Sequence, residues 1–139
     1  MSDLGSILDY SADIADAEAP KSLPAGDYPA KITGAEVGTS QSSGKPQVTV
    51  SWLIDPDDFP ADYEDADAFA DGKTLKTYQG ASDDKASRFR MRKFLESIGA
   101  PAGSKIDVND WVGRSAIVTI KPEEFEGIER ERITKVEAK

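Results

Sequence analysis

Gln47-Val48-Thr49-Val50-Ser51-Trp52-Leu53-Ile54-Asp55 alternates without a break. Val48, Val50, Trp52 and Ile54 fall on one face, and Thr49, Ser51 and Leu53 on the other. That is the period of a strand with one side against a core. Working outward, Gly38-Thr39-Ser40-Gln41-Ser42-Ser43-Gly44-Lys45-Pro46 before it is a polar loop rich in turn formers. Before that, Tyr28, Ala30 and Ile32 again share a face, giving a first strand from about Gly26 to Val37, with Pro29 expected at a strand start or an unpaired edge.

After Asp55 come seventeen residues, 56–72, in which acids surround Phe59, Tyr63 and Phe69. A loop this long inside one domain is expected to be functional or disordered. Lys73 to Gln79 is a third strand, with Leu75 and Thr77 opposite Lys76 and Tyr78. Ser82 or Asp83 then caps a helix running to Ile98, closed by Gly99 and Pro101. Projected at about 100° per residue, Met91, Phe94, Leu95 and Ile98 form its core stripe, while Phe89 lies among Lys85, Arg92 and Lys93 on the outer face. A short helical turn is expected at Val108 to Trp111. Two further strands follow, Arg114 to Lys121 and Ile128 to Val136, joined by a turn over Pro122 to Gly127.

The length, 139 residues, suits one domain. Residues 1–22 read as an acidic arm in which Leu4, Ile7, Leu8, Ala12 and Ala15 have helical spacing, broken by Pro20 and Pro24. The domain proper is expected over 23–139, with the acidic loop inserted between its second and third strands. No apolar run is long enough to span a bilayer, and the N-terminus carries acids where a signal peptide carries bases, so a cytoplasmic protein is expected.

Two absences bear on chemistry. Without cysteine there is no disulfide, thiolate nucleophile or cysteine-bound zinc, and without histidine no serine-type triad or common general base. The expectation is a binding protein with no catalytic residues, no metal and no cofactor. Gly38 to Gly44-Lys45 approaches a phosphate loop, but the spacing is one too long and Pro46 replaces the magnesium-binding hydroxyl. The segment from Asp65 to Gly72 approaches a calcium loop, but Phe69 and Ala70 stand where a ligand and a glycine are needed.

The net charge of −9 argues against nucleic acid until it is divided along the chain. Five acids and no base lie in residues 1–20, and eight acids and no base in residues 55–71. The remainder carries thirteen acids against all seventeen bases. The acidity is segregated, and Lys85, Arg88, Arg90, Arg92 and Lys93 form a basic run with no acid inside it. That run is expected to pair with an acidic block of the same chain or of a second subunit, the alternative being nucleic acid wrapped beyond a binding groove.

Three strands, a helix and two strands is the chain order of an OB-fold. The fold expected is therefore mainly β, a five-stranded OB-like Greek-key barrel with one α-helix between strands three and four, plus the acidic arm. In addition, several stretches resemble phage-encoded single-stranded-DNA-binding proteins of OB type. They are Leu23-Pro24-Ala25-Gly26-Asp27-Tyr28-Pro29-Ala30-Lys31-Ile32, the Gly44-Lys45 loop, the apolar second strand, Phe94-Leu95-Glu96-Ser97-Ile98-Gly99 and Trp111-Val112-Gly113-Arg114. The resemblance covers about residues 23–136 and implies duty in phage DNA replication or recombination. Many such proteins end in an acidic tail that recruits partners. This chain ends Lys135-Val136-Glu137-Ala138-Lys139, so that role would fall to segments 1–20 and 55–71.

Sequence-independent binding of single strands needs cations to follow phosphates and flat side chains to stack on bases. The residues expected to supply them are Lys45, Lys73, Lys76, Tyr78, Phe125, Arg130 and Arg132, with Trp52 as a further platform, although its three aliphatic face-mates favour a core position. Partners would be single-stranded DNA and replication or recombination proteins, with homo-oligomerisation compatible and no membrane. The alternative is an acidic protein-binding module, even a DNA mimic, whose carboxylates fill another protein's nucleic-acid site.

Overall fold

The computed structural model describes residues 6–139. Its centre is β2 (Pro46–Ile54), where Val48, Val50, Trp52 and Ile54 are all buried, as the alternation predicts. β2 pairs with β1 (Gly26–Thr39) on one side and β3 (Lys73–Gly80) on the other. β1 also pairs with β4 (Ser115–Phe125), which pairs with β5 (Ile128–Glu137). The result, among the described residues, is one antiparallel sheet of five strands in the order β3-β2-β1-β4-β5.

The fourteen-residue β1 serves two partners. Its first part, Gly26–Lys31, pairs with β4, and its later part, from Lys31 on, pairs with β2 across a bulge between Ile32 and Gly34. A bulge adds a residue and bends the strand, which lets the sheet coil over a single core. Pro29 sits where β1 has β4 alone beside it, the setting in which a missing N–H is tolerated. Coiling brings β5 back beside β3, both strands running the same way. Lys73 at the start of β3 meets Glu131 of β5, while Thr77–Gly80 face Ile133–Val136 across a cleft.

The helix α1 (Lys85–Ile98) lies between β3 and β4 in the chain. Phe94, Leu95 and Ile98 are buried and Met91 half-buried, the stripe expected of it. The Phe94 ring meets Trp52 edge-on at 6.3 Å and lies 5.1 Å from Trp111. The N-cap is Asp84, not Ser82 or Asp83: it is in extended backbone and accepts from the Ser87 amide (2.9 Å) and hydroxyl (2.8 Å). These two hydrogen bonds hold the Asp84 carboxyl below its ordinary pKa. Gly99 closes the helix in the left-handed conformation, as expected. Trp111 is buried at the end of the 3₁₀ turn Val108–Trp111.

Two features differ from the sequence reading or sharpen it. The β4–β5 turn is not Pro122–Gly127. Both strands run on, and only Glu126 and Gly127 turn, each at positive φ, the two-residue hairpin that matches strand twist. At the expected start of the domain, residue 23, the chain is anchored: Ser22 and Leu23 are buried. Ser22 donates to Glu129, and the Leu23 amide donates to Glu131 at 2.8 Å. The acidic loop is also folded. It holds 3₁₀ turns at Pro56–Asp58 and Ala66–Phe69, and Tyr63 is buried with its hydroxyl donating to the Lys21 carbonyl. Burial first, and the Glu131 carboxylate second, push the Tyr63 pKa up to about 12.

Among the described residues the arm does not form the helix its spacing suggests. Residues 6–20 are exposed, with one 3₁₀ turn at Ile14–Asp16, in keeping with the marginal stability of short helices that bury no face. Leu4 and Asp3 lie outside the described residues. Among those described, no helix is long and apolar enough to cross a membrane.

Candidate nucleic-acid interface

The alternation that buries Trp52 turns the other half of each strand outward. Cross-strand pairing sets the outer face in rows: Glu36–Thr49–Tyr78, Gly34–Ser51–Lys76 and Lys31–Leu53–Thr74. Small side chains, Gly34, Ser51 and Thr49, make a low floor across β1 and β2. Lys76 and Tyr78 stand at its β3 margin, both exposed, the tyrosine by 64%. A flat ring and an ammonium two residues apart beside a low floor can take a base and its phosphate together.

Two loops mark the ends of this face. Lys45, exposed, sits in the loop between β1 and β2, next to Pro46 at the start of β2, whose carbonyl accepts from the Ala81 amide at 3.0 Å just beyond β3. The β4–β5 hairpin lies by the other end of β3, through the Lys73–Glu131 pair. Phe125 is 52% exposed there, with the Arg130 guanidinium 4.6 Å from its ring centroid. Arg132 pairs with Glu123 at 3.5 Å and stands opposite Lys121. Eight residues of β3 at about 3.3 Å each separate the two ends by about 26 Å.

Electrostatics favours the β3 end. Glu36 is the one acid in the three rows that hold Lys31 and Lys76, with Lys45 in the loop beyond, whereas the hairpin sets Glu123, Glu124, Glu126 and Glu129 around Arg130, Arg132 and Lys121. The hairpin is a platform with few unopposed cations.

Two expected residues leave the set. Trp52 is fully buried, and its indole N–H donates to the Thr77 hydroxyl at 2.9 Å, so no base can reach it. Lys73 is 7% exposed and its ammonium is committed to Glu131, the Tyr63 hydroxyl (3.4 Å) and the Phe69 ring (4.1 Å). Its charge neutralises a buried carboxylate and is not available to phosphate. The Lys73 side chain falls on the inner face with Leu75 and Thr77, which alternation from Lys76 already implied. Lys31 and Lys121 join the outer face and were missed, although the same period-two count marks them.

Among the described residues the basic helix pairs locally and not with either acidic block of its own chain. Arg88 binds Asp83 at 2.9 Å, and Arg92 and Lys93 share Glu96 at 3.4 and 3.8 Å. The Arg92 and Lys93 charges also flank the Phe89 ring, at 5.3 and 5.6 Å. In the acidic loop, Glu64 takes Lys21 at 2.7 Å, which holds the Lys21 ammonium above its ordinary pKa. Among the described residues no three acidic side chains gather as a metal site. A scan against protein-family models found no match to the chain, and a search of curated proteins found no significant relative.

Proposed function

We propose that the chain is a non-catalytic, OB-like single-stranded-DNA-binding protein of the kind phages use in replication or recombination. The observation that carries this is the pairing of exposed Tyr78 with Lys76 beside a floor of small residues, with loops bearing Lys45 and Phe125 at its two ends. The parallel approach of β5 to β3 supports an OB-like closure of the sheet. Phosphates run along Lys76, Lys45 and Lys31, and bases stack on Tyr78 and on the free face of Phe125.

The test is a fluorescence titration with oligothymidine, beside a duplex, at several salt concentrations. Single-strand binding that weakens steeply with salt is expected, and Tyr78→Ala should cost about 1–3 kcal/mol of it. Equal affinity of Tyr78→Ala and the parent chain, or no binding at low salt, overturns the proposal. One observation favours a second reading, an acidic protein-binding module. The 56–72 loop is folded and presents Asp57, Asp58, Asp62, Asp67 and Asp71 at fixed, exposed positions. Binding to a basic protein with no nucleic acid present, in a chain that ignores oligothymidine, would select it.

A further inference from the structure

β3 and β5 are the two edges of the sheet. They are tied at one end by Lys73 and Glu131, and beyond that tie they part around a cleft of about 620 Å³. Phe94, Ile133 and Val136 give the cleft an apolar interior, and Arg90, Lys93 and Lys135 give it a cationic rim. Each bordering strand offers one side of its backbone with no ladder partner. Such an opening suits an extended, acidic segment that alternates in polarity.

The chain carries one. In Leu8-Asp9-Tyr10-Ser11-Ala12-Asp13-Ile14, apolar residues hold every even position and polar residues every odd one. That is a half-buried strand pattern, yet Leu8 (69%), Tyr10 (58%) and Ile14 (59%) are exposed. Seven residues extend about 24 Å, enough to run past the roughly 13 Å bordered by Thr77–Gly80 and Ile133–Val136. With the apolar side turned to Phe94, Ile133 and Val136, Asp9 and Asp13 emerge on the outer side with Lys76 and Lys135.

The geometry points to a second copy as the source of that strand: residues 8–14 of one chain enter the β3/β5 cleft of another. The arm leaves its own cleft empty: Leu8, Tyr10 and Ile14 are exposed and none of them lines it. Lys21 is held by its amide on Asp65 (2.6 Å), its carbonyl on the Tyr63 hydroxyl and its ammonium on Glu64 (2.7 Å). With Ser22 on Glu129, these contacts fix the root of the arm between the acidic loop and β5, with Pro20 next in line. Each copy then has an uncovered strand and an uncovered cleft, and reciprocal exchange closes them as a two-fold dimer.

The absence of cysteine makes the test direct, because introduced thiols are unique. Ser11→Cys and Thr134→Cys chains are mixed and treated with a short bismaleimide, and both changes are also placed together in one chain. Linked dimers are expected from the mixture. Light scattering of the unlinked parent should show a dimer whose dissociation constant rises by about tenfold or more in the Asp9→Lys, Asp13→Lys chain. A linkage within the doubly substituted chain that persists under excess parent protein places the arm in its own cleft and overturns the proposal. A monomer at every concentration with no linkage overturns it as well. Neither readout uses nucleic acid, so failure here leaves the DNA-binding proposal standing.

Discussion

Replacing Lys73 with methionine should destabilise the domain far more than loss of a surface lysine. The Lys73 and Glu131 side chains are 8% and 6% exposed, and Glu131 also holds the Leu23 amide. Methionine keeps most of the volume over the Phe69 ring but strands the carboxylate among Tyr63, Leu23 and Phe69 with one N–H. Breaking a buried pair on one side costs about 3–5 kcal/mol, against about 5–15 kcal/mol for a whole domain. With a urea slope of about 2 kcal/mol/M, the midpoint should fall by about 2 M at unchanged slope. Adding Glu131→Gln restores neutrality while keeping an acceptor for Leu23, so the double variant should recover at least about 2 kcal/mol over simple additivity. A Lys73→Met loss under about 1 kcal/mol, the scale of an exposed pair, would refute the reasoning. So would additivity of the two changes.

Three shorter expectations go with it. Gly72 has φ +97°, and a Cβ there would stand 2.6 Å from the Ile54 carbonyl oxygen and 2.8 Å from Leu53; Gly72→Ala should lower stability by at least about 1 kcal/mol in the same urea assay. Trp52→Phe should cost about 1–3 kcal/mol through lost volume and the lost Thr77 hydrogen bond, while oligothymidine affinity stays unchanged. Tyr63, with its pKa raised to about 12 from an ordinary 10, binds its proton more tightly folded than unfolded. Its contribution is complete below pH 10 and is lost as pH rises toward 12, so Tyr63→Phe should flatten the alkaline fall in stability measured by urea melts over that range.

Local periodicity was sufficient for most of the fold. Val48, Val50, Trp52 and Ile54, and Phe94, Leu95 and Ile98, were legible as core because one buried face imposes a period of two on a strand and of 3.6 on a helix. The Gly99 stop and the Val108–Trp111 turn were legible because cap and turn chemistry is local. The β4–β5 turn was misread because Pro122 signals a break, although β4 there is paired with β5 alone. The 56–72 loop looked open because its three aromatics have no period; Tyr63 is fixed by Lys21, forty-two residues away.

The candidate interface divides the same way. That Lys76 and Tyr78 share a face opposite Leu75 and Thr77 follows from the chain alone, since alternation needs no partner. That Lys73 is buried on Glu131, fifty-eight residues on, and that Lys45 and Phe125 stand at opposite ends of β3, follow only when the sheet coils and brings β5 beside β3. The sequence by itself determined which side chains face outward, because that is a property of one strand's pleat. Which of those residues become neighbours was decided by tertiary structure, because cross-strand register and coiling bring distant segments to within hydrogen-bond reach.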